Sequence, residues 1–224
     1  MSEGIDLKAL EKKAYRSVFN DGLWDLFIGL IILTMGLSAL FGILFNLPEL
    51  WDIIIPSLVG NIIAFLVFYL GKKFITIPRI GFVKFGPKRK SKQLKLKIFL
   101  FVVFIVNIVL FILPFTGITD YIQIEPLFLI LILGIGIFTI PFCVVAYFLD
   151  FTRLYYYAFF AGIGFFLTNL LSPILGAPLD TILTFGLIGG VIVVIGLYYF
   201  TRFLKKYPLQ KEEVFNGKKE NRIG

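Results

Sequence analysis

Six long apolar segments divide this chain, and all 22 of its lysines and arginines fall outside them, in the termini and the alternate links that share one side. The segments run over residues 26–45, 53–70, 98–113, 127–149, 156–175 and 182–200. Each is near the roughly 20 residues a helix needs to cross the hydrocarbon core of a bilayer. Four basic residues precede the first segment and ten lie between the second and third. Arg153 stands alone between the fourth and fifth, and seven basic residues follow the sixth. The three remaining links carry Glu49, Asp52, Asp120, Glu125 and Asp180 instead. Basic residues resist translocation, so this positive-inside pattern puts the basic links and both termini in the cytoplasm. The expected fold is all-α: a multi-pass bundle of six transmembrane helices in the cell membrane.

Composition agrees with that expectation. The chain is 58% hydrophobic and 16% charged over 224 residues. A water-soluble domain of this size has no interior large enough to hide so much apolar surface. We expect an amphipathic cytoplasmic lead over 1–22, one transmembrane domain over 23–204, and a polar cytoplasmic tail over 205–224. In the lead, Leu7, Leu10, Ala14 and Val18 recur at helical spacing, as in a helix lying in the headgroup layer or a solvated lead-in helix. Asn20-Asp21-Gly22 should end that helix, and Trp24 suits the interface at the entry of the first span. That span is too long for a signal-peptide core and lacks a small-residue cleavage pattern, so it reads as an uncleaved helix. The net charge of +8 belongs to the cytoplasmic links; no nucleic-acid partner is expected.

The chain has no histidine and a single cysteine, Cys143. The commonest general base and metal ligand is therefore absent, as is any dithiol pair. Asp21-Gly22 matches the opening of an intramembrane phosphotransferase motif, but such a site needs further aspartates, and the first span has none beyond Asp25. No catalytic, metal or cofactor site is expected, and the chain reads as a non-enzyme. Its embedded ionisable residues, Asp25, Asp52, Asp150 and Arg153, all stand at span ends, which weighs against ion-coupled transport.

The polar residues inside spans are Asn61, Asn107, Thr139, Thr168, Asn169 and Thr184. In hydrocarbon each needs a partner. They either hydrogen-bond between helices, at about 0.6–2 kcal/mol each, or line a small cavity. Small residues four apart, Ser38 with Gly42, Gly60 with Ala64, Ala158 with Gly162 and Gly186 with Gly190, allow close helix approach within the chain or in a homo-oligomer. Gly134, Gly136 and Pro141 weaken the fourth span and predict a kink there.

The link over 71–97 has the most individual character. FITIPRIGFVKFG, from Phe74, alternates β-branched or aromatic residues with others and suits a short β-ribbon turning at Pro-Arg-Ile-Gly. KRKSKQLKLK follows from Lys88 and runs into the third span. Lys72, Lys73, Arg79, Lys84, Lys88, Arg89, Lys90 and Arg153 are candidate contacts for anionic headgroups or a partner protein. Each basic residue near an anionic membrane surface contributes about 1 kcal/mol.

RSVFNDGLWDLFIGL, from Arg16 to Leu30, and TIPRIGFVKFG, from Thr76 to Gly86, resemble signatures of uncharacterised small prokaryotic multi-spanning membrane proteins. The resemblance implies a polytopic membrane protein and carries over no substrate and no functional residue. Three classes of function follow from the residues. The first is a membrane-embedded accessory or lipid-interacting protein, touching anionic lipids at the cytoplasmic face, with a homo-oligomer or another membrane protein as partner. The second is a small permease for a neutral or lipid-like solute, which requires Asn61, Asn107 and Asn169 to meet around a cavity. The third, an intramembrane enzyme, has no acid–base or metal constellation to support it.

Overall fold

The computed structural model describes residues 19–45, 49–81, 87–112 and 126–208. The amphipathic lead through residue 18, Lys84, the first two acidic-side turns and the tail from 209 lie outside the described residues. Regular structure among the described residues is helical throughout. In chain order it comprises α1 (Leu23–Phe45), α2 (Glu49–Leu70), a π-turn (Gly71–Thr76), α3 (Ile77–Ile80), α4 (Pro87–Ile112), α5 (Pro126–Gly134), a second π-turn (Ile135–Thr139), α6 (Ile140–Leu149), α7 (Arg153–Leu175) and α8 (Leu179–Lys206).

Among the described residues four helical stretches are long and apolar enough to cross a bilayer: Ile54–Ile80, Phe128–Leu149, Arg153–Leu175 and Leu179–Lys206. Leu23–Ser38, the first part of α1, is apolar as well. In α4 the exposed Lys92, Lys95 and Lys97 precede an apolar stretch that runs from Ile98 to Ile112, the last described residue of that helix.

The 74–80 segment is not a strand. Gly71–Thr76 continues α2 as a π-turn, with the Ile77 N–H bonded to the Lys72 carbonyl, and Ile77–Ile80 forms one further helical turn. Pro78 is the second residue of α3, directly after the widened turn. The β-branched residues that suggested a strand sit in a helix flanked by apolar surface, where packing overrides their weak propensity. The remainder of the expected ribbon, 82–86, lies outside the described residues. The irregularity expected in the fourth span is a π-turn, in which the Ile140 N–H bonds to Ile135 and Pro141 follows.

The helices pack in a row. α1 packs most extensively on α8, with α2 on its other flank; α7 packs on α8, α5 and α6 pack on α7, and α4 touches α6. The α1–α8 crossing is antiparallel and brings backbone onto backbone. A Cβ added at Gly29 would stand 2.8 Å from the Val193 nitrogen, one at Gly36 2.6 Å from the Gly186 nitrogen, and one at Gly196 2.7 Å from the Leu26 nitrogen. Gly22, Gly29 and Gly36 are seven apart, as are Gly189 and Gly196, so one stripe of each helix faces the other over several turns. A second close crossing joins α5 to α7 through Gly134 and Gly162, beside which the Thr139 hydroxyl donates to the Ala158 carbonyl at 3.2 Å.

The outward faces are as apolar as the interior. The largest fully buried side chains are Ile32, Ile192, Asp21 and Asp25, whereas Leu58, Phe101, Val194 and many other large apolar side chains face outward. An apolar exterior around buried carboxylates paired with cations is what a bilayer solvent selects.

Candidate functional site

The start of α1, the π-turn after α2, the start of α7 and the end of α8 meet at the basic end of the bundle. The sequence builds this junction from three polar pairs spaced four apart: Asp21 with Asp25, Lys72 with Thr76, and Arg153 with Tyr157. Four-residue spacing puts both members of a pair on one helix face. The wider π-turn keeps Lys72 and Thr76 together on the side that faces Asp21.

Asp21 precedes Gly22, whose φ of 77° turns the chain into α1. The Asp21 carboxylate caps the helix by accepting the Leu23 N–H at 3.2 Å on Oδ1. Its other oxygen receives the Lys72 ammonium at 2.6 Å and the Thr76 hydroxyl at 2.8 Å. Gly71 permits this approach, since a Cβ there would press on the Leu23 side chain. One turn deeper, Asp25 accepts the Tyr157 hydroxyl at 2.7 Å and pairs with Arg153 Nη2 at 2.9 Å.

Arg153 is delivered by the turn between α6 and α7. Asp150 adopts the left-handed conformation at φ 54°, and the Phe151 N–H reaches back to the Ala146 carbonyl at 3.0 Å. This closes the end of α6 as helices commonly close. Phe151 then buries against Phe19, with ring centroids 5.6 Å apart. The Arg153 guanidinium donates to the Phe19 carbonyl at 2.8 Å and lies over the Tyr199 ring at 3.8 Å. Arg153 thus ties α1, α7 and α8 with one planar group, a task suited to a guanidinium and not to an ammonium. Trp24 packs beside it against Phe19 and Phe68. Two carboxylates and two cations make the junction formally neutral, and both carboxylates are fully buried.

Of the residues singled out from sequence, Lys72 and Arg153 therefore turn inward onto aspartates. Lys73 is exposed and lies over Tyr69 and Phe74. Arg79 is half-buried in α3, with Nε and Nη1 buried and making no hydrogen bond. Lys88, Arg89 and Lys90 occupy the first turn of α4, and Lys84 is outside the described residues.

The in-span polar residues do not gather. Asn107 and Asn169 donate to the carbonyls of Val103 and Phe165 on their own helices, as Thr168 and Thr184 do to Gly164 and Asp180. Only Thr139 among the six bonds to another helix, and Asn61 is exposed on α2. Sequence reading took Asp21 as a turn residue and Asp25 as a span-end charge without pairing them, and passed over Thr76 and Tyr157. The repeated four-residue spacing at three segment ends was the signal that would have found them.

Two apolar grooves open sideways from the bundle. One, of about 760 Å³, runs between α7 and α8 and ends at Arg153 and Tyr157; the other, of about 640 Å³, lies between α1 and α2. Neither is lined by Asn61, Asn107 or Asn169. No protein-family model, no curated protein and no solved structure matches the chain.

Proposed function

We propose that this protein is a six-span integral membrane protein that holds lipid, as a lipid-interacting or accessory component of the cell membrane, with its basic end and both termini in the cytoplasm. The observation that carries the reading is the lateral apolar groove between α7 and α8, set against helix-embedded amides that bond their own backbone. A groove open to the side admits acyl chains from the surrounding bilayer. A path for a polar solute would instead need convergent polar groups, and the permease reading depends on three asparagines that line neither groove. The buried ion pairs support a structural role for the junction, because each carboxylate is already engaged by a cation and a hydroxyl.

Native mass spectrometry of the protein extracted in mild detergent tests this reading. Stoichiometric lipid retained through desolvation is the expected result; a bare chain would overturn it.

Orientation is tested separately, in a Cys143→Ala background. Lys206→Cys, exposed at the end of α8, should resist a membrane-impermeant maleimide in intact cells and react once they are permeabilised. Ala177→Cys, in the exposed turn between α7 and α8, should react in intact cells. The reverse labelling pattern would refute the topology.

A further inference from the structure

The two grooves differ at their ends, and the difference identifies an occupant. The α8 wall of the larger groove is formed by Leu187, Val191, Val194 and Tyr198, at spacings of four, three and four. The same face continues by four and three to Arg202 and Lys205, both exposed. Opposite, on α7, the wall runs from Phe160 to Tyr156. Tyr156 and Tyr198 line the groove and are 65% and 60% exposed. The groove is thus graded along its length, from aliphatic to tyrosine to cationic.

Its dimensions match one leaflet. The eleven residue steps from Leu187 to Tyr198 rise about 16 Å along the helix, and half of the roughly 30 Å hydrocarbon core is about 15 Å. The volume of about 760 Å³ lies within the roughly 300–1,000 Å³ that ligand pockets enclose.

We propose that this groove seats one acyl chain of an anionic phospholipid from the leaflet at the basic end, with the phosphate held by Arg202 and Lys205 and the glycerol level with Tyr156 and Tyr198. The assignment rests on the lipid-holding reading and narrows it to one site and one headgroup charge. Arg153 lines the groove but is held by Asp25 and by the Tyr199 ring, so the headgroup's countercharge comes from the exposed end of α8. A second copy of the chain is a poorer occupant. Two copies related by a two-fold axis along the membrane normal would set Arg202 and Lys205 of both at one level, and like charges repel. The groove between α1 and α2 has no charged or tyrosine lining residue and serves as an internal control.

The experiment uses the full chain in mild detergent, stripped of lipid and titrated with dioleoyl phosphatidylglycerol or dioleoyl phosphatidylcholine, the bound fraction read by native mass spectrometry. One phosphatidylglycerol per chain is expected, bound at least roughly tenfold more tightly than phosphatidylcholine, since each basic residue contributes about fivefold. Val191→Trp, which fills the groove from an exposed position, should abolish binding of both lipids. Arg202→Gln with Lys205→Gln, at the exposed helix end, should equalise the two. Val59→Trp, in the other groove, should change nothing.

Equal affinity for the two lipids in the native chain overturns the headgroup assignment. Retention of lipid by Val191→Trp, or its loss on Val59→Trp, overturns the site while leaving the lipid-holding reading intact. A change of oligomeric state on Val191→Trp, with lipid binding unaltered, makes a second copy the occupant and refutes the proposal. Absence of any bound lipid in the native chain removes the broader reading as well.

Discussion

Replacing Gly29 or Gly196 by valine is expected to destroy the folded bundle. Both glycines lie where α1 and α8 touch through their backbones, and the first added carbon would stand 2.8 Å from the Val193 nitrogen or 2.7 Å from that of Leu26. The obstructing atoms are main chain on a straight helix, so no rotamer change relieves the clash. The helices must separate along the whole stripe. Overpacking a compliant core costs about 1–3 kcal/mol, and a rigid backbone contact should exceed that range. In a bilayer the loss is not offset by a hydrophobic term, because helices associate there through close packing and hydrogen bonding, not through exclusion from water. Gly190→Ala, on the same helix, provides the contrast. No atom lies within 4 Å of its added carbon, and alanine is the better helix former by about 1 kcal/mol, so this variant should unfold at the same temperature or slightly higher. Thermal unfolding in detergent, followed by the fluorescence of Trp24, measures both. A Gly196→Val protein that unfolds with the native midpoint would refute the backbone-contact account of this interface.

Much of the architecture could be read from the sequence, and what escaped has identifiable reasons. The apolar segments and their one-sided charges anticipated a helical bundle whose basic ends meet. The packing of Asp21 on Lys72 and of Arg153 on Asp25 does bring those ends together. Asn20-Asp21-Gly22 forms a turn, with Gly22 in the left-handed region, and the helix it was expected to end lies outside the described residues. The glycine stripe was missed because small residues were sought at a spacing of four within each helix, whereas Gly22, Gly29 and Gly36 recur at seven, the period with which one helix meets another. The π-turns could not be foreseen: a single widened turn leaves the apolar pattern almost unchanged, and only the pairing of Lys72 and Thr76 with Asp21 shows its consequence. Asp25 and Arg153 were noticed as charges at span ends. Their mutual contact is set by the fold, 128 positions of sequence having no local signature for it. Such a contact is visible from sequence only as complementarity between segment ends.

Asp25→Ala should be the most damaging polar substitution. It leaves the Arg153 guanidinium facing a fully buried site with no countercharge, and removal of one partner from a buried pair costs about 3–5 kcal/mol. Tyr157→Phe, which deletes only a hydroxyl donated to the carboxylate, should cost about 1.5–3 kcal/mol. The pair itself is a different matter from its halves. Charges withdrawn into a low-dielectric junction lose solvation that their attraction only partly returns, and apolar replacements of similar volume are often tolerated. Asp25→Leu combined with Arg153→Met is therefore expected to be more stable than Asp25→Leu alone, recovering at least half of the single variant's loss. The Arg153 stem still covers part of the groove wall, and methionine preserves that contact. Trp51→Phe leaves Trp24 as the sole indole, packed within the junction against Phe19 and Phe68, so its emission reports this end of the bundle directly. A double-mutant cycle on that background isolates the coupling between the two residues. Strictly additive losses would mean that Asp25 and Arg153 act independently, and the junction would then be a coincidence of two separate caps. A coupling of several kcal/mol instead identifies the ion pair as the lock that fixes α7 against α1, and thereby holds the groove beside α8 in one shape.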